Sequence, residues 1–321
     1  MCIGLWSLEH PEYSLILYTN RDEYLSRPTE NAHFHSFGHE GIREAFVLSG
    51  LDLQCGGTWF GINRAGRIAL LTNINEQVGA HHKESRGHLV SSFLLPDAPD
   101  VEQFVQMLKD DPSADYPGFN LLLLSPSTQG QTNTLTYEAL LITNSAGGGT
   151  ITSRPLLAEE RRIGGVSNGV DRINEGTWPK VKTGEDILVE LLNESQTKAS
   201  QPSDYELAER LFEILSLQSS PAPTNLYEMR TSIEVPPVCL RSNCLSPKSD
   251  SNDEHDLGAT RLSTILLVGR DGHVLFIERD VWKLDGEGKA ARGDPREARM
   301  FRFTLDGFKE VEDDLKGKGK D

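Results

Sequence analysis

Apolar residues gather at both ends of this chain with the spacing of strands, and in its middle with the spacing of helices. Ile3–Leu8 and Ser14–Tyr18 are apolar runs parted by His10-Pro11-Glu12, which predicts a hairpin. Thr58–Ile62 and Ile68–Thr72 predict a second pair around the turn Asn63-Arg64-Ala65-Gly66. The period then lengthens. Leu89, Phe93 and Leu94 fit one helical face, and Val101, Phe104, Val105 and Leu108 fit another, with Asp100 as N-cap. Strands return at Phe119–Leu124, Tyr137–Ile142 and Ile163–Val166. Two helices are predicted around Ile187–Leu192 and Leu207–Leu215, joined by the polar stretch Glu194–Asp204. The last third reads as β again, with Leu262–Val268 and Val274–Ile277 meeting at Arg270-Asp271-Gly272 and one more strand at Met300–Leu305. Strands at both ends and helices between them indicate an α+β fold, not a βαβ alternation.

The expected organisation is one domain over residues 1–308, with a loose Ser-, Asn-, Asp- and Pro-rich insertion at 242–256 and a charged tail at 309–321. A length of 321 residues does not force a second domain. The formal net charge of -16 repels phosphate backbones, so nucleic acid is not an expected partner. No apolar stretch approaches the roughly 18 residues of a membrane span, and Glu9, His10 and Glu12 interrupt the first apolar run too early for a signal peptide. The expected location is therefore the cytoplasm, with thiols reduced and Cys239 and Cys244 two ordinary thiols. The histidines His33, His35 and His39, and His81, His82 and His88, fall in polar, loop-like stretches without carboxylates at ligand spacing, so neither a metal nor another cofactor is expected.

The candidate chemistry starts at Cys2. Loss of Met1 would leave a residue carrying both a thiol and a free α-amine. The amine, with an ordinary pKa of about 7.7–8.0, can take the proton of a thiol that titrates at about 8.5. The bland alternative is a small buried residue opening a strand. The second strand runs into Thr19-Asn20-Arg21-Asp22-Glu23. Asp22 could cap a short helix there. In a hairpin, the end of the second strand lies beside the start of the first, which sets Asn20–Asp22 beside Cys2. An acid in that place can orient the α-amine, and an asparagine amide can donate to an oxyanion. Arg21 should point the other way from its neighbours.

Several segments, taken in order, carry a resemblance. They are Met1-Cys2-Ile3, Asn20-Arg21-Asp22-Glu23 with Ser26-Arg27-Pro28, Gly56-Gly57-Thr58-Trp59-Phe60-Gly61, Leu71-Thr72-Asn73, Gly118-Phe119-Asn120, Val166-Ser167-Asn168 with Trp178, and Thr260-Arg261. Together they resemble the transport and Golgi organisation family, also called the NRDE family, over residues 1 to about 280. The resemblance implies the four-layer αββα sandwich of N-terminal nucleophile hydrolases such as the choloylglycine hydrolases. It implies Cys2 as nucleophile, Asn20 and Asp22 as the Asn-x-Asp after the second strand, Asn73 and Asn168 as amides near the thiol, and Arg261 as the late arginine of the site. Arg21 and Trp59 are the expected substrate contacts. Those hydrolases carry an arginine directly before the Asn-x-Asp, where this chain has Thr19.

Two functions follow. One is a role in Golgi organisation and protein secretion, with links to mitochondria, through a pocket that holds a small apolar or acyl-bearing ligand, haem or a lipid. The other is a cytosolic hydrolase or acyltransferase of amides or thioesters. A thiol beside a free amine and Arg261 is expected to out-react Cys55, Cys239 and Cys244 toward alkylating agents. Asp22→Asn is expected to harm function more than stability, and Trp59→Ala the reverse.

Overall fold

The computed structural model describes residues 2–39, 45–75, 82, 84–111, 114–129, 134–170, 178–197, 202–240 and 257–308. The expected insertion at 242–256 and the charged tail at 309–321 lie outside the described residues, as does Cys244.

The strands in chain order are β1 (Ile3–Ser7), β2 (Tyr13–Tyr24), β3 (Thr29–His35), β4 (Val47–Asp52), β5 (Phe60–Asn63), β6 (Ile68–Asn73), β7 (Phe119–Gln129), β8 (Thr134–Thr143), β9 (Thr152–Pro155), β10 (Gly164–Val166), β11 (Val238–Cys239), β12 (Leu257–Gly269), β13 (His273–Asp280), β14 (Trp282–Leu284), β15 (Ala290–Arg292) and β16 (Arg299–Thr304). The helices are α1 (Gly87–Leu94), α2 (Val101–Asp110), α3 (Ala158–Arg162), α4 (Pro179–Thr197) and α5 (Asp204–Leu215). One antiparallel sheet runs β10-β1-β2-β12-β13-β16, with β11 paired to β12; the other runs β3-β4-β5-β6-β7-β8-β9. A separate ribbon pairs β14 with β15.

Three apolar clusters show how the layers stack. Between the sheets, Trp6, Leu15, Leu17 and Phe276 of the first meet Leu48, Phe60, Leu70 and Leu122 of the second. On the outer face of the first sheet, Ile3, Leu5, Ile16 and Tyr18 pack on Val181, Leu188 and Leu191 of α4 and on Leu207 and Leu211 of α5. On the outer face of the second, Leu71, Phe119 and Leu121 pack on Leu89 and Phe93 of α1 and Phe104 of α2. The order is therefore helix, sheet, sheet, helix: the αββα sandwich. Strands buried on both faces read as continuous apolar runs, which is why β1, β2 and β7 were plain in the sequence. Gly4 faces the second sheet, and a Cβ there would lie 2.2 Å from Leu70 Cδ2, so glycine lets the sheets close at this point.

The two aromatic rings Phe60 and Phe276 stack across the gap, centroids 5.9 Å apart and 12° from parallel. Phe276→Ala is expected to cost about 3–5 kcal/mol, because the packed sheets leave a cavity they cannot close. Urea unfolding should show a lower midpoint with an unchanged slope.

Several expectations need correction. Asp22 caps no helix. β2 continues through Tyr24 because β12 pairs with it as far as Tyr24 opposite Gly258. β3 and β4 were not foreseen, and His33 and His35 sit on β3, not in a loop. Cys239 is no ordinary thiol, since its sulfur is in a disulfide. Among the described residues no helix is long and apolar enough to cross a membrane.

Candidate functional site

Register builds the site. Ile3 pairs with Asn20, so the Cys2 main chain lies over Arg21 and Asp22, and Cys2 Sγ donates to the Asp22 carbonyl at 3.8 Å. The thiol is almost fully buried, at 9% exposure. Burial raises its pKa above the ordinary thiol value and outweighs the pull of the chain's positive amino end; Asp22 adds to the rise, while its carbonyl hydrogen bond and Arg21 oppose it. The amino end and Arg21 do pull this pKa down, but burial overrides them.

Each residue of the Asn-Arg-Asp-Glu segment has its own task. Asn20 Nδ2 donates to the carbonyls of Leu215 (2.9 Å) and Ile233 (3.0 Å), and its Oδ1 accepts from Ser263 Oγ at 2.6 Å. This places Asn20 on the helix side, where it ties β2 to the end of α5 and the chain beyond it. Its amide is not directed at the thiol. Arg21 points the other way, as strand alternation requires. Its guanidinium lies 3.8 Å from the Trp59 ring centroid and donates to Thr29 Oγ1 at 3.1 Å. Burial brings the Arg21 pKa down to about 10. Asp22 returns to the helix side, where Oδ1 accepts from Thr260 Oγ1 at 2.5 Å and Oδ2 lies 3.6 Å from Lys180 Nζ. Glu23 stands 3.7 Å from Arg27 and 4.0 Å from Arg21. Thr19 donates to the Ile3 carbonyl at 2.7 Å and so pins the hairpin.

The thiol opens on a cleft of about 90 Å³ where the ends of β2 and β6 meet the start of α1. Its wall holds Arg21, Arg27 and Arg86, the acids Asp22, Glu23 and Asp52, and the surfaces of Trp59, Leu71 and Asn73. Arg27 is clamped to Asp52 by contacts of 3.2 and 2.6 Å. Gly56 and Gly57 turn the chain into this wall with φ of +76° and +71°. A Cβ on Gly57 would sit 2.4 Å from the Gly87 carbonyl, so only glycine lets the turn meet the start of α1. Trp59 lies half-buried just before β5, against Gly50, and not in mid-strand as expected. A larger cavity of about 690 Å³ lies at the far end of the first sheet, around Tyr13, Asp204 and Arg302, away from the thiol.

Asn73 ends β6 on the cleft, and its side chain has no hydrogen-bond partner among the described residues. Three motif segments buckle the sheets together behind it. Ser167 Oγ donates to the Cys2 carbonyl at 2.7 Å, while the Ser167 carbonyl accepts from Thr72 Oγ1 (2.8 Å) and Asn120 Nδ2 (3.0 Å). Asn168 is buried beside them; its Oδ1 accepts from Ser167 Oγ at 3.4 Å and its carbonyl from the Asn75 amide at 3.1 Å.

Arg261 stands behind the cleft wall, sharing Thr29 Oγ1 with Arg21. The β2–β12 ladder slips between Thr260 and Leu262, so Arg261 is the extra residue of a bulge and turns out of the ladder. Its Nη1 donates to the carbonyls of Tyr24 (3.3 Å) and Arg27 (2.5 Å) and to Thr29 Oγ1 (3.2 Å), which fastens the corner after β2. The arginine acting on Cys2 is Arg21. Sequence reasoning missed Lys180 and Thr260. Thr260 stood within a quoted motif; Lys180, in the first turn of a helix, gave no signal of burial.

Residues 1–283 match the family described as Transport and Golgi organisation 2. The chain is 29% identical over 296 residues to the Transport and Golgi organization protein 2 homolog of Homo sapiens, covering 91% of this chain and 93% of that one. It is 28% identical over 329 residues to an uncharacterized protein of Saccharomyces cerevisiae, covering 95% and 100%. Among solved structures it is similar to a mutant of the conjugated bile acid hydrolase from Clostridium perfringens, at 10% identity and a TM-score of 0.44, covering 95% and 98% of the two chains. It is also similar to the Caenorhabditis elegans ortholog of N-acylethanolamine-hydrolyzing acid amidase, at 10% identity and a TM-score of 0.45, covering 83% and 92%. The family match spans the second sheet, the first sheet as far as β13 and every segment that meets at Cys2, and the chain belongs to the Transport and Golgi organisation 2 family.

Proposed function

We propose that this chain serves Golgi organisation and secretion by holding an acyl-bearing ligand with an anionic head in the cleft at Cys2, and that it binds this ligand more readily than it cleaves it. The observation that carries the reading is the cleft wall. Arg21, stacked on Trp59, stands beside Arg27 and Arg86 above a buried thiol. Guanidinium groups on an aromatic plate suit a carboxylate or phosphate, with Leu71 and the Trp59 ring for the first methylenes. The cleft is small for haem, since pockets for ligands of that class run to about 300–1,000 Å³. The wall is also more charged than a largely apolar ligand requires, which favours an acyl-bearing ligand with an anionic head.

Weak turnover has two physical grounds. Burial keeps the Cys2 thiol protonated near neutral pH, and Thr19 supplies a hydroxyl bound to Ile3 where the hydrolases carry a cation. Should cleavage occur, the thiolate would attack the carbonyl, the freed α-amine of Cys2 would take and return the proton, and Asn73 would donate to the oxyanion.

The test uses N-octanoylglycine, which carries an acyl chain, an amide and a carboxylate. Saturable protection of Cys2 from iodoacetamide is expected, at least tenfold weaker in Arg21→Gln, with little release of glycine. No protection at millimolar ligand overturns the binding reading. Sustained glycine release that Cys2→Ser abolishes replaces it with the hydrolase.

A further inference from the structure

Lys180 breaks three rules at once. Its side chain is 0% exposed, although lysine is almost never fully buried. It stands in the first turn of α4, where the helix dipole disfavours a cation. Its ion pair is long, 3.6 Å to Asp22 Oδ2, and its ammonium lies 5.8 Å from the Trp178 ring centroid. Departures from general rules that cluster in one place mark functional sites. Lys180 lies under the candidate nucleophile: Asp22 is at once the carboxylate that faces Lys180 and the carbonyl that receives the Cys2 thiol.

A carboxylate this close to Cys2 opposes formation of a thiolate, and burial makes that opposition stronger. The groups facing Cys2 are Arg21 and Asp22 from β2, Lys180 from α4 and the chain's amino end; the cleft adds Glu23, Asp52, Arg27 and Arg86. Arg27 is already clamped to Asp52, and Arg21 lies on the other face of β2 from the Asp22 carboxyl. The cation placed to offset Asp22 is Lys180.

We propose that Lys180 is a positioning residue of the Cys2 site, its buried ammonium fixing and neutralising the Asp22 carboxylate so that a thiolate can form above it. The inference rests on the reading of Cys2 as the reactive group of the cleft. Lys180 acts through Asp22 and needs no contact with ligand. Burial lowers the Lys180 pKa on balance, and Asp22 and then Cys2 are the partners that oppose the fall.

The experiment follows iodoacetamide labelling of Cys2 against pH by peptide mass mapping, on the full chain in the cold. Lys180→Met removes the buried cation that faces Asp22 Oδ2. The labelling midpoint should rise by about one pH unit, which is about tenfold slower labelling on the rising limb. Lys180→Arg should stay within about threefold of the unmodified protein, and Lys180→Met combined with Asp22→Asn should return to the same range. A folded Lys180→Met protein with an unmoved midpoint overturns the proposal. If Lys180→Met does not fold, Asp22→Asn decides by the opposite sign: an ammonium without its carboxylate should speed labelling about tenfold, and an unmoved midpoint overturns the proposal equally. Failure of the underlying reading looks different: ligand then gives Cys2 no protection in the unmodified protein, whatever Lys180 does.

Discussion

Asp22→Asn is expected to lower stability by about 3–5 kcal/mol, the loss that follows when one member of a buried ion pair is removed. Asp22 and Lys180 are both buried, at 1% and 0% side-chain exposure, so the ammonium left behind loses its carboxylate in a place shut off from solvent. For a chain of this size the melting temperature should fall by roughly 10 °C. The deficit should shrink as pH rises. Burial lowers the pKa of Lys180 in the folded protein below its unfolded value, and loss of Asp22 lowers it further. Between the two values the unfolded chain binds more protons, so stability climbs with pH until the unfolded lysine has also lost its proton. Pairing the change with Lys180→Met should restore most of the loss, because a neutral pair of similar volume needs no counter-charge. Differential scanning calorimetry of the three variants between pH 7 and 10 checks all of this. A loss below 1 kcal/mol that does not vary with pH would show that the pair is not a buried charge pair in solution.

The same comparison reverses the expectation for Trp59. It is a half-buried wall of the cleft with Arg21 across its face, packed at the rim of the core between the sheets. Trp59→Ala should cost about 1–2 kcal/mol, within the common range for partly exposed positions. Its larger effect should be on ligand protection of Cys2.

The hairpin was legible because two apolar runs around a Pro turn fix both pairing and direction, and Cys2 over Arg21–Asp22 followed from that alone. So was the split of the Asn-Arg-Asp segment between two faces, since a strand alternates. What each side chain bonds to was not legible. Asn20 reads as an amide near a thiol, but its partners are carbonyls of Leu215 and Ile233, some 200 residues away in sequence. Arg261 reads as a site arginine, but one extra residue in β12 turns it onto the Tyr24–Thr29 corner. A bulge leaves no mark in hydrophobic spacing. Lys180 was invisible for a related reason: lysine in a helix's first turn looks solvated until α4 is docked on the sheet. β3 escaped because Thr29–His35 carries charge, amide and imidazole on an edge strand whose outer face needs no apolar residue.

Cys2 is expected to label more slowly than Cys55 in protein that keeps Met1, against the order its place beside an amine first suggested. Cys2 is 9% exposed and its pKa is raised by burial, whereas Cys55 is an exposed free thiol in the loop before Gly56. The thiolate attacks iodoacetamide and displaces iodide, so a raised pKa and restricted access act in the same direction. At pH 7.5 the ratio should be at least about tenfold, because each pH unit between solution and pKa lowers the thiolate fraction about tenfold. Cys2 labelling should go on rising with pH above 9, as the thiol's folded pKa lies above its ordinary value. Removal of Met1 should then speed Cys2 and leave Cys55 unchanged. It brings a basic amine within one residue of the sulfur. The measurement is peptide mass mapping of both thiols over a pH series, on fractions whose intact mass shows Met1 present or absent. Cys2 that outpaces Cys55 while Met1 is retained would mean that Arg21, not a freed amine, activates the thiol. Equal Cys2 rates with and without Met1 would remove the α-amine from the chemistry of this site.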